Sequence, residues 1–264
     1  MTFSTSTSLR SNSPEFAIRS ELQAAANGQG YRVAMGETNG WQFWQSNSGA
    51  PGEIAVGAAG LDGPWFLSVQ HAGVARELAA QRAEPCAKGH SAAFAFATRD
   101  DLCEGVRRTY ELSKSLPTLP LELFNAEVAK ISETERTALV RQRVGQGIFR
   151  DALITYWRGT CPMTGITDTD LLRASHIIPW AKCSSDEERL NVHNGLLLSS
   201  LWDAAFDAGL ITFDDQGVVI ASPHLSAAAR MEMRIADAPP LPMVDAIEER
   251  LAWHRLNLFQ SARN

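Results

Sequence analysis

Two short apolar runs, one charged loop and one short helical pattern constrain what residues 171–211 can become. The first run, Leu171 to Ile178, carries Arg173-Ala174-Ser175-His176-Ile177-Ile178-Pro179-Trp180. The second opens as Asn194-Gly195-Leu196-Leu197-Leu198, and Asp203-Ala204-Ala205-Phe206-Asp207 follows it. The first run is apolar enough for a strand, with His176 near its end. Asp203 and Asp207 are spaced i, i+4, so a helix presents both carboxylates on one face. The stretch thus gathers a base that titrates near neutrality, an amide to hold it, and hard oxygen ligands. That set suits a one-metal phosphodiesterase site. Each part also has a plainer reading: a lone strand histidine is often a core residue, and acids near a helix N-terminus answer the macrodipole.

The rest of the chain narrows the class. Four cysteines, Cys86, Cys103, Cys161 and Cys183, show no C-x-x-C spacing, which argues against a zinc knuckle or a disulfide framework and suits a reducing cytoplasm. The first 14 residues are rich in Ser and Thr, lack the apolar segment of a signal peptide, and are expected to be disordered. No apolar run reaches membrane-spanning length. The net charge of -6 carries no global signal for nucleic acid, but Arg136 to Arg158 holds five arginines against Asp151 alone.

The expected fold class is α+β: a mixed α/β domain over 15–114, a linker over 115–122 marked by Pro117 and Pro120, and a second domain over 123–264. In the first domain, Phe16 to Ala26 and Asp100 to Leu112 read as helices, the latter capped by Asp100 or Asp101. Tyr31 to Met35 and Trp65 to Val69 read as strands. In the second, Glu133 to Trp157 reads as a helix broken or bent near Gly145 and Gly147, and Leu210 to Ile220 as a hairpin closed by Asp214-Asp215-Gln216-Gly217. Ile247, Leu251 and Leu258 share one face of a closing helix.

The stretch from Arg173 to Ile211 resembles the HNH endonucleases, over roughly residues 133 to 260, with flanks and spacing in agreement. The resemblance implies a ββα-metal module, two strands and a helix around one divalent ion, with extra helices. It implies His176 as general base, Asn194 as holder of the loop that carries it, and Asp203 as metal ligand. Many relatives carry a further ligand just before the base. Here that position is Ser175, a poor ligand, and Asp207 is the candidate for the missing oxygen. Carboxylate ligands favour Mg²⁺ or Mn²⁺ over Zn²⁺. Arg143, Arg150, Arg173 and Lys182 are candidate contacts to the phosphate backbone, with solvation or a bridge to the acidic 184–189 loop as the plainer reading.

The expected activity is metal-dependent hydrolysis of DNA in restriction or other defence against foreign DNA. A non-specific or mobile-element nuclease and a catalytically degenerate DNA-binding module are the alternatives. With one site per chain, cutting both strands needs either a homodimer or sequential nicking. In the first domain, Trp41, Phe43 and Trp44 form either a platform for a base or ordinary core packing.

Overall fold

The computed structural model of the chain describes residues 16–130 and 136–261, so the segment expected to be disordered, 1–14, lies outside the described residues. The chain divides into two compact units, Met1–Lys114 and Ser115–Asn264. It is a mixed α+β protein.

The first unit runs α1 (Phe16–Gly28), β1 (Tyr31–Thr38), β2 (Trp41–Ser46), β3 (Ile54–Ala58), β4 (Trp65–Val69), α2 (Ala72–Glu77), β5 (Gln81–Ala83), β6 (Ala92–Phe96) and α3 (Arg99–Ser115). Its strands form one antiparallel sheet in the order β1-β2-β3-β4-β6-β5. Strands β3 and β4 are buried along their whole length, so they lack the polar alternation of a one-sided strand. Trp41 and Trp44 are buried as well. Trp41 clusters with Ala55, Phe66, Ala87 and Ala93, and Phe43 packs against that cluster. These rings are core, not an exposed platform. The cap of α3 is Thr98, two residues before Asp100: its hydroxyl accepts from Asp101 N at 3.1 Å and donates to the Asp101 carboxylate at 2.7 Å.

The second unit runs α4 (Thr118–Val128), α5 (Arg136–Tyr156), β7 (Leu172–His176), α6 (Asp186–Leu190), β8 (Gly195–Ser199), α7 (Ser200–Asp207), β9 (Ile211–Phe213), β10 (Val219–Ala221), α8 (Ala227–Glu232) and α9 (Asp245–Asn257). Strands β7 and β8 pair antiparallel, α7 follows β8 directly, and β9 and β10 form the expected hairpin.

Three expectations change. Residues 118–122 are helical, because Pro117 sits at the N-cap of α4 and Pro120 in its first turn, where a missing N–H breaks no intrahelical bond. Helix α5 runs unbroken through Gly145 and Gly147. Gly145 is a contact site: a β-carbon there would lie 2.4 Å from the Trp180 indole and 3.3 Å from Phe124. The buried face of α9 is Ile247, Leu251 and His254, whereas Leu258 is the residue that ends the helix. Among the described residues, no helix is long and apolar enough to cross a membrane.

Candidate active site

His176 is the last residue of β7 and lies opposite Gly195 of β8. Gly195 has to be small: a β-carbon there would meet Phe149 at 2.4 Å and Leu153 at 2.8 Å, both on α5. The close approach slides Phe149 under the imidazole, with ring centroids 3.9 Å apart and planes 17° from parallel. Trp180 meets the same ring edge-on at 5.7 Å. His176 Nε2 lies 2.9 Å from the backbone carbonyl of Arg189. A carbonyl only accepts, so Nε2 carries the proton and Nδ1 keeps a bare lone pair. Burial pushes the His176 pKa below its ordinary value, against the smaller opposing pull of the Arg189 carbonyl. The ring is therefore a neutral base at pH 7.

Asn194 is fully buried, at the end of the short turn that precedes β8. Its Oδ1 accepts from Ile178 N at 2.8 Å. Its Nδ2 donates to Ile178 O at 3.1 Å, to Glu188 O at 3.3 Å and toward Cys183 Sγ at 3.3 Å. Its own carbonyl accepts from Ile177 N at 3.0 Å. One amide side chain thus fastens both ends of the loop that leaves His176.

Neighbouring strand residues point to opposite faces. While His176 meets α5, Ser175 is buried on the other side and donates a hydrogen bond to Asp203 Oδ1 of α7. The i, i+4 spacing on α7 puts Asp207 within electrostatic reach of Asp203. The Asp207 carboxyl is pushed up to about 6, first by desolvation and then by the Asp203 charge.

The basic candidates separate. Arg150 is committed inward, with Nη1 donating to Leu172 O at 2.8 Å and Nη2 to Thr169 O at 2.7 Å, so it clasps the start of β7. Arg173 is exposed, and its Nη1 donates to Asp170 O and Leu172 O. Arg143 and Lys182 are exposed. Arg141 bridges to Asp186 of the acidic loop at 3.0 Å.

Sequence reasoning missed Phe149, which the apolar spacing of Phe149, Leu153 and Tyr156 on α5 marks only as core. It also missed the Arg189 carbonyl, which no side-chain pattern can mark. Cys161 and Cys183 are buried, and all four cysteines are free thiols.

Among the described residues, no cluster of three or more His, Cys, Asp or Glu is placed to hold a metal ion. The donor set on α7 is two carboxylates that repel each other. That fits a hard cation which keeps most of its ligands as water and substrate oxygen. Asp203 and Asp207 are the residues that would hold it.

A family model described as HNH endonuclease matches residues 161–214. That span contains β7, β8, α7 and β9, hence His176, Asn194, Asp203 and Asp207 together. No curated protein matches the chain.

Proposed function

We propose that this chain, which carries an HNH domain in its C-terminal half, is a divalent-metal-dependent endonuclease that hydrolyses DNA in defence against foreign DNA. The observation that carries this reading is the clamp on His176: stacked on Phe149, with Nε2–H on the Arg189 carbonyl and Nδ1 bare.

In this reading Nδ1 takes the proton of the attacking water. The Nε2–H bond to Arg189 O persists through that transfer and steadies the ring as it becomes an imidazolium. Asn194 holds the loop after His176, so the base is in place before substrate arrives. Asp203 and Asp207 would hold the cation, and Ser175 donates to one Asp203 oxygen from β7. A divalent cation held there would supply charge neutralisation at the reacting phosphate. Arg143, Arg173 and Lys182 meet the phosphate backbone and give affinity without reading sequence.

A plasmid-nicking assay tests this. We expect nicking with Mg²⁺ or Mn²⁺ and none with EDTA. Unmodified, methylated and hydroxymethylated plasmids run side by side test the defence role through target choice. DNA binding without nicking in either metal overturns the enzyme reading in favour of a DNA-binding module, which the serine at position 175 would then explain.

A further inference from the structure

We propose that Arg189 is a positioning residue for His176, and that it acts through its own backbone carbonyl. The inference rests on the reading of His176 as the base.

The acceptor that fixes the His176 tautomer belongs to a five-residue helix, α6, too short to hold its own position by backbone bonds. The carbonyls in the last turn of a helix have no intrahelical partner, which leaves the Arg189 oxygen free for the imidazole. The side chain of the same residue anchors it. The Arg189 guanidinium folds back under the loop, where Nε donates to Trp180 O at 3.2 Å, Nη2 to Cys183 O at 2.8 Å, and Nη1 to Asp186 Oδ1 at 3.0 Å. Its backbone N donates to Ser185 O at 3.1 Å. The other Asp186 oxygen is held by Arg141 of α5 at 3.0 Å, which ties the loop to the helix that carries Phe149.

All three guanidinium nitrogens therefore have partners within the loop, and the side chain is 24% exposed. A phosphate ligand would turn those donors outward. The guanidinium also lies 5.8 Å from the Trp180 ring, and Trp180 is the residue that meets the His176 edge and rests on Gly145. One side chain thus sets two walls of the histidine site, the carbonyl on Nε2 and the indole at its edge. The sequence offers Arg189 as one more charge in an acidic loop; the fold makes it the keystone of that loop.

The test uses the full chain, wild type against Arg189→Met and Arg189→Lys. Nitrogen NMR of isotope-labelled histidine reads the tautomer of His176 directly, and single-turnover cleavage and DNA affinity across a salt series are measured in parallel. The wild type is expected to show one tautomer, with Nε2 protonated and Nδ1 bare. Arg189→Met is expected to show a mixture, a ~10–100-fold slower cleavage step, and unchanged DNA affinity and salt slope. Arg189→Lys keeps charge and stem but not the fork, so it folds where the Met variant fails to, and should move tautomer and rate the same way. A single unchanged tautomer in Arg189→Lys, whatever its stability, overturns the proposal. So does lost affinity with a shallower salt slope and an unchanged cleavage step, the signature of a phosphate contact. If the wild type does not cleave DNA at all, the nuclease reading fails while the tautomer comparison still decides the positioning role.

Discussion

Asn194 grips Ile178 from both sides, accepting from its N–H at 2.8 Å and donating to its carbonyl at 3.1 Å. The loop from His176 to Leu190 hangs on this pair. Asn194→Ala leaves the part-buried Ile178 N–H without its partner, and a buried group stripped of its hydrogen bond costs about 1–3 kcal/mol. With a cavity added, we expect a loss on the order of 3 kcal/mol. Hydrogen exchange at the β7 and β8 amides reads this without requiring the two units to unfold together. A loss below ~0.5 kcal/mol, the usual effect of a neutral surface change, would show that the grip is incidental.

Gly145 and Gly147 should respond to alanine with opposite signs. Alanine is the better helix former by about 1 kcal/mol, so Gly147→Ala, with nothing within 4 Å of the new β-carbon, should raise the melting midpoint. Gly145→Ala gains the same propensity but drives a methyl to 2.4 Å from Trp180, and overpacking costs roughly 1–3 kcal/mol. It should melt lower and disturb the edge of the His176 site. Equal shifts in both variants would return Gly145 to the role of a mere helix weakener.

These glycines show where sequence stops being legible. Local pattern marks a glycine pair as a break, but it cannot see that Trp180, far along the chain, needs the space. The same limit hid Phe149 beneath His176 and the inward turn of Arg150. What was legible is local. The strand ends on His176, α7 carries its two acids at helical spacing, and the turn Asp214-Asp215-Gln216-Gly217 closes its hairpin, each fixed by neighbours within a few residues. The Arg189 carbonyl was beyond reach because every residue has one.

Arg150 and Arg143 should part company in a salt titration. Arg150→Met removes the clasp on Thr169 and Leu172, so we expect lower stability of the second unit and an unchanged salt slope of DNA binding. Arg143→Ala should leave stability alone and lower the slope by about one, the change expected for one lost phosphate contact. A lowered slope in Arg150→Met would show that the clasp opens on DNA.

The proposed base and the proposed metal ligands should also separate. His176→Ala should abolish cleavage yet bind Mn²⁺ and DNA as the wild type does, whereas Asp203→Asn should lose Mn²⁺ binding, followed by calorimetry. The Asp207 carboxyl, raised to about 6, takes up a proton as pH falls through that value, and a protonated carboxyl is a poor ligand. Mn²⁺ affinity should therefore drop between pH 7 and 5, and Asp207→Asn should flatten that drop. If Asp203→Asn binds Mn²⁺ normally, the carboxylate pair does not form the metal site.

His254 gives the second unit a further pH dependence, from a ring packed on the helix that carries Asp203 and Asp207. The ring is fully buried, stacked on Phe206 at 4.0 Å, with Nδ1 3.0 Å from the Thr212 hydroxyl and Nε2 3.3 Å from Phe206 O. Burial pushes its pKa down to about 4, against the opposing pull of the Phe206 carbonyl. The unfolded chain takes up this proton near 6.5 and the folded chain only near 4, so between those values protons favour unfolding. Stability is then complete above about 6.5 and is lost as pH falls toward 4. At ~1.4 kcal/mol per unit, the full loss comes to about 3 kcal/mol. His254→Phe keeps the stack on Phe206 and cannot titrate. It should be less stable than wild type at pH 7, because Thr212 loses its partner, and should close that gap by about 3 kcal/mol at pH 4. All other titrating groups are common to both proteins and cancel in the difference. A gap that stays constant from pH 7 to pH 4 would mean that the buried ring takes its proton as readily folded as unfolded.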